Sequence, residues 1–142
     1  MAFTGNAVCK VFKTGLLDGS FDFGTGTSDV YKIALYTNSA TLDESTTAYT
    51  TSGEVVSAGY SAGGNTLTIN QVPTTGSSGD IAYISFSNTS WSGAITARGA
   101  LIYKVSGGAV CVLDFGADKT SSSTFEVQFP TATNTAAILR IN

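Results

Sequence analysis

The feature that most constrains the fold is a period of two that recurs along the chain in short runs, each closed off by turn-forming residues. Val30–Tyr36 sets Tyr31, Ile33 and Leu35 on one face, and Asn65–Val72 alternates Leu67 and Ile69 with Thr66, Thr68 and Asn70. Such alternation belongs to half-buried β-strands, because successive side chains on a strand point to opposite faces. Ile81–Phe86 is apolar on both faces. Ala100–Val105 and Ala109–Phe115 are two apolar runs joined by Ser106-Gly107-Gly108, a strong hairpin signal. Phe125, Val127 and Phe129 alternate with Glu126 and Gln128 before Pro130 ends the run. Ile138–Ile141 closes the chain and Val8–Lys13 opens it.

Counted in this way the chain predicts about eight strands, with a ninth candidate around Glu54–Ser57. Turn-rich stretches separate them at Thr14–Asp29, Gly59–Gly64, Pro73–Gly79 and Gly116–Ser123. No stretch of ten residues carries a helical stripe, and the best helical candidate is one turn near Leu42–Thr47. Short strands at this spacing predict an all-β, two-sheet sandwich, and the long connections favour a jelly-roll-like topology over a meander. At 142 residues the chain fits one domain. Residues 1–7 leave room for an N-terminal arm reaching a neighbour, a frayed terminus being the ordinary alternative.

Histidine is absent. That removes the usual general base, the Ser-His-Asp and Cys-His arrangements, and the commonest transition-metal ligand. The carboxylates could in principle supply a glycosidase pair, and Asp114 with Asp118 flanks a turn, but the aromatic and charged groups of a sugar cleft are sparse. Asp18, Asp22 and Asp29 fall in one loop, with no spacing that matches a calcium loop. The sequence therefore predicts no enzyme, no metal and no cofactor. Gly24-Thr25-Gly26-Thr27 lacks the Lys-Ser/Thr ending of a phosphate loop and reads as a turn. Cys9 and Cys111 sit in strand-like runs; a disulfide between them is one reading and two buried free thiols the favoured one.

Charged residues form 12% of the chain, about half the usual share, and the net charge is −3. Serine and threonine carry the polar role, and their short side chains lose little entropy when a surface is covered. The seven Lys and Arg residues are scattered, so no basic stripe predicts nucleic-acid binding. No segment has the length and apolarity of a membrane span. Leu16, Leu17, Phe21 and Phe23 crowd four large apolar groups into one connection, which must either plug the core or be covered by a partner. Trp91, the single tryptophan, either caps the sandwich core or anchors an interface.

Several blocks resemble a known group. They are Tyr31–Thr37, Thr41-Leu42, Thr46–Thr50, Gly53-Glu54-Val55, Gly59-Tyr60 with Ala62-Gly63-Gly64, Ala97–Tyr103, Leu113–Lys119 and Phe125–Pro130. In this order, over roughly residues 11–141, they are similar to virion proteins of tailed bacteriophages, most of all to small jelly-roll capsid cement or decoration proteins. The resemblance implies a subunit on the outside of the head that binds the major capsid protein, as a homo-oligomer (dimer or trimer), after synthesis in the host cytoplasm. It carries over no binding residue. The alternative is a receptor- or carbohydrate-binding β-sandwich of a phage fibre or tail, which would present an exposed aromatic platform.

Overall fold

A computed structural model describes residues 3–76 and 79–142. Among the described residues ten strands and one helix follow one another: β1 (Ala7–Val8), α1 (Lys10–Asp18), β2 (Tyr31–Tyr36), β3 (Asn65–Thr66), β4 (Ile69–Thr75), β5 (Ala82–Phe86), β6 (Thr89–Ser92), β7 (Thr96–Lys104), β8 (Ala109–Thr120), β9 (Thr124–Val127) and β10 (Leu139–Ile141). They form an all-β sandwich of antiparallel strands with no closed barrel. One layer is the five-stranded sheet β1-β8-β7-β2-β3. The other is divided between the three-stranded sheet β10-β5-β4 and the two-stranded ribbon β6-β9.

The centre of the large sheet is where the sequence is most apolar. Ile33, Ala34, Leu35 and Tyr36 of β2, with Leu101 and Ile102 of β7 and Val110 and Val112 of β8, are essentially inaccessible to solvent. The β7–β8 hairpin turns through Ser106 and Gly107, as the glycine pair predicts, and Lys104 N–H donates to the Gly108 carbonyl at 3.0 Å. Across the layers Phe23 stacks on Tyr31 at 4.4 Å and meets Phe86 of β5 edge-on at 6.3 Å.

The chain departs from the sequence reading in definite places. Val8–Lys13 is a strand only as far as Val8; from Lys10 to Asp18 it is helical, within the segments read as a strand and a turn-rich connection. Val8, Phe12 and Leu16 recur at four-residue spacing, and Phe12 and Gly15 face inward. A Cβ on Gly15 would lie 2.4 Å from the Phe21 ring, so only glycine lets the helix sit this close. Gly19 ends the helix in a left-handed conformation (φ 80°), and the Ser20 N–H returns to the Gly15 carbonyl at 2.8 Å.

Leu42–Thr47 is a hydrogen-bonded turn, not a helical one: Asp43 Oδ1 accepts the Ser45 N–H and the Asp43 carbonyl accepts the Thr46 N–H. Pro73 lies inside β4, which the reading ended before it. β4 is an edge strand whose register slips between Gln71 and Thr74, a place where a missing N–H costs no ladder bond. β8 likewise runs on to Thr120 through Gly116, taking in a register irregularity opposite Ala97–Gly99. Glu54–Ser57 contributes a single bridge, Glu54 to Tyr36. β6 was not foreseen, since Trp91 is its one buried residue. Met1 and Ala2 of the N-terminal segment lie outside the described residues; beyond them Phe3 is buried and Asn6 Oδ1 accepts the Asp114 N–H of β8.

Candidate docking groove

Two edge strands, β1 and β10, contribute residues to one groove. β1 is the outer strand of the large sheet and β10 the outer strand of the three-stranded sheet. Between them α1 forms a third wall. The space enclosed is an open groove of about 710 Å³, lined by Val8, Phe12, Leu16 and Leu17 on one side and by Tyr83, Ile84, Leu139 and Ile141 on the other. Its lining is mainly apolar. Leu17 is 91% exposed, Ile141 57% and Val8 38%. Leu139 and Ile141 fall on one face of β10 by the period of two, so the strand leads from the core outward into the groove.

Lys13 and Arg140 flank this lining. The ion pairs among the described residues are Arg98–Asp114 at 3.0 Å and Lys104–Asp29 at 2.9 Å. Neither involves Lys13 or Arg140. Arg140 alternates with Leu139 and Ile141 along β10, and its guanidinium donates to the Thr135 carbonyl at 2.9 Å.

The structure separates the residues singled out from the sequence. Phe21 and Phe23 plug the core, with Phe12 edge-on to both at 4.9 and 5.9 Å. Trp91 is buried between Tyr60 and Phe125 and caps the core. Leu16 is half-buried, and Leu17 alone projects into solvent. The sequence reading missed Val8, Lys13, Arg140 and Ile141. Their common signal is membership of the first and last apolar runs, whose meeting at one rim is a fact of tertiary structure.

Several carboxylates hold turns. Asp22 Oδ1 accepts the Gly24 N–H at 2.8 Å, and Asp18 accepts the Ser20 N–H at 3.0 Å. The Lys104 ammonium beside Asp29 holds that carboxyl below its usual range. Asp114 is held low by the Gly116 N–H and then by Arg98, while Asp118 accepts from Asn38 Nδ2 at 3.1 Å. Among the described residues no three His, Cys, Asp or Glu gather as metal ligands would, and no helix is long and apolar enough to cross a membrane.

Glu54 is the exception in being buried. Its Oε1 accepts the Tyr60 hydroxyl and the Gly63 N–H, both at 2.7 Å, and its Oε2 accepts the Tyr49 hydroxyl at 2.6 Å. Tyr103 stacks on Tyr49 at 4.8 Å and donates to the Gly63 carbonyl at 2.7 Å. With three donors on two oxygens, this carboxylate fastens the 49–64 connection to the sheet. Cys9 and Cys111 are buried free thiols, and burial followed by the Asp43 charge pushes Cys9 up to about 11.

Comparison with protein-family models, with curated proteins and with solved structures finds no match.

Proposed function

We propose that this chain is a capsid cement, or decoration, protein of a tailed bacteriophage. In this reading it sits on the outer surface of the head as a homo-oligomer, a dimer or trimer, and ties the major capsid protein lattice together. The observation that carries the reading is the solvent-open apolar groove with Leu17 and Ile141 at its lip. A sandwich that leaves such a surface unpaired has a face whose burial would favour association. Low charge density supports the same reading, because few ions need be desolvated when a lattice covers the exterior. Weak contacts suffice when symmetry repeats them, since each bound subunit raises the effective concentration of the next contact. The sequence blocks similar to virion proteins point the same way. The alternative of a sugar-binding fibre domain needs an exposed aromatic platform, and Trp91, its leading candidate, is 5% exposed.

The test is to strip the protein from purified heads and add it back. Wild-type protein should rebind and raise the temperature at which heads burst, while Leu17→Glu should rebind weakly and protect little. Stripped heads that keep their stability but lose host attachment would overturn the cement reading in favour of the fibre one.

A further inference from the structure

We infer that residues 3–8 are a guard strap: they cover the apolar half of β8 and keep that edge from pairing with the same edge of a second copy of this chain.

The need for a guard lies in β8 itself. One side of the strand is taken by β7. The other side has β1 as its strand neighbour over two residues, Ala7 opposite Val112 and Val8 opposite Cys111. Residues 114–120 of β8 carry Asp114, Asp118 and Lys119 and are bent at Gly116 (φ 82°). Charges and bends of this kind make an edge a poor template for another strand. Residues 109–113 have neither. They are apolar, uncharged and free of proline, the composition of a segment that pairs readily with its own copies. Set antiparallel to itself with Val112 opposite Val112, the edge brings Val110 opposite Asp114 and sets no like charges against one another. A second copy is therefore the occupant this edge fits.

Two ladder positions are a weak hold for a strand, and the strap is fastened by anchors at either end. Phe3 is 3% exposed, and its ring lies on Gly99 of β7, where a Cβ would come within 2.5 Å of it. Arg98 lies over the same ring at 6.0 Å and is tied to Asp114 at 3.0 Å. Along the edge, Asn6 Oδ1 accepts the Asp114 N–H at 2.7 Å and the Cys9 N–H donates to the Val110 carbonyl at 3.0 Å. Backbone groups at both ends of the apolar stretch are thus occupied from within the chain. Between the two anchors the backbone bends at Gly5, φ 125°, with open space where a Cβ would stand. Glycine adopts such a bend at no steric cost, and any other residue strains it.

The test loosens the strap in the full chain. Phe3→Ser empties the seat on Gly99, and Gly5→Ala strains the bend without removing a packed atom. In Phe3→Ser the Asp114 amide should exchange with solvent at least about tenfold faster than in wild type, as expected for losing one buried aromatic anchor. Sedimentation velocity should show a larger assembly than wild type, growing with protein concentration, and Gly5→Ala should show the same to a smaller degree. The peptide acetyl-Ala-Phe-Thr-Gly-Asn-Ala-Val-amide at millimolar concentration should return Phe3→Ser to the wild-type size, while its counterpart with Ser in place of Phe should not. Cooperative melts separate this association from unfolding, and Gly5→Ala carries the test if Phe3→Ser does not fold.

Faster exchange at Asp114 with the wild-type size retained would describe an edge that needs no guard, and would overturn the inference. So would unchanged exchange in both variants, or an assembly that the peptide does not reverse. An assembly whose Asp114 amides stay open to exchange would overturn it too, because the contact would then lie away from this edge.

Discussion

Replacing Glu54 tests whether one buried carboxylate fastens the long connection between β2 and β3. Glu54 is 7% exposed and accepts three hydrogen bonds, from Tyr49, Tyr60 and Gly63. In Glu54→Ala the Tyr60 hydroxyl and the Gly63 N–H lose their acceptor while still buried, and each orphaned donor costs about 1–3 kcal/mol. Tyr49 lies nearer the surface and can turn to water. The expected loss is about 4 kcal/mol, a large share of the roughly 5–15 kcal/mol that holds a domain folded. Glu54→Gln should cost less, about 1–2 kcal/mol, because its Oε1 can still accept from Tyr60 and Gly63 and only the charge assistance goes. Tyr60→Phe removes both the donor to Glu54 and the acceptor of the Leu35 N–H at 2.8 Å. It should cost about 2 kcal/mol, and a cycle with Glu54→Gln should show coupling above about 0.5 kcal/mol. The measurement is equilibrium unfolding in urea at pH 7, followed by the fluorescence of the buried Trp91, with the denaturant slope unchanged between variants. An alanine variant within about 1 kcal/mol of wild type, or a glutamine variant as damaged as alanine, would refute the reasoning.

Three further outcomes follow from the titrating groups. Burial raises Tyr31, Tyr36, Tyr49, Tyr60 and Tyr103, with the Glu54 carboxylate adding to it for Tyr49 and Tyr60. The fold keeps these phenols protonated where the unfolded chain ionises near pH 10, so stability should be full below about 10 and drain as pH rises through the folded values; phenolate absorbance from more than one of the six tyrosines at pH 10 without unfolding would contradict this. Asp29 and Asp114 are lowered, so their contribution is present above about pH 4 and lost as pH falls through the folded values. Asp29→Asn should flatten the acid limb of the stability profile, and an unaltered limb would show that the Lys104 pair is inert. Both thiols are buried and raised, so a thiol reagent at pH 8 should label neither Cys9 nor Cys111 until denaturant is added; stoichiometric labelling of folded protein would show that the rim opens.

The period-two runs were a faithful guide over most of the chain. β2, β5, β7, β8, β9 and β10 all fall where alternation or continuous apolarity places a strand. The guide failed at α1, because Val8-Cys9-Lys10-Val11-Phe12-Lys13 satisfies a strand pattern nearly as well as the four-residue spacing of Val8, Phe12 and Leu16. What decides is contact: Phe12 has aromatic partners in Phe21 and Phe23, and Gly15 allows the Phe21 ring to approach, only if the segment coils. β6 failed for the opposite reason, since four residues with one apolar side chain give almost no period to detect.

For the site, the crowding of Leu16, Leu17, Phe21 and Phe23 was visible from the start, and so was the choice it posed between plugging the core and meeting a partner. The answer is divided: Phe21 and Phe23 plug, Leu17 is left out, and Leu16 lies between. No local pattern could have said so, because all four are simply large and apolar. Sequence by itself determined the strand-rich sandwich and the scarcity of charge, since both follow from side-chain chemistry and from the two-residue repeat of an extended backbone. Tertiary structure alone decided that residues of the first and last apolar runs, Val8, Phe12 and Leu16 with Leu139 and Ile141, line one groove. Which edges remain open depends on strand order, and strand order is set by contacts between residues distant in sequence, such as Ala7 with Val112 and Leu139 with Ile84.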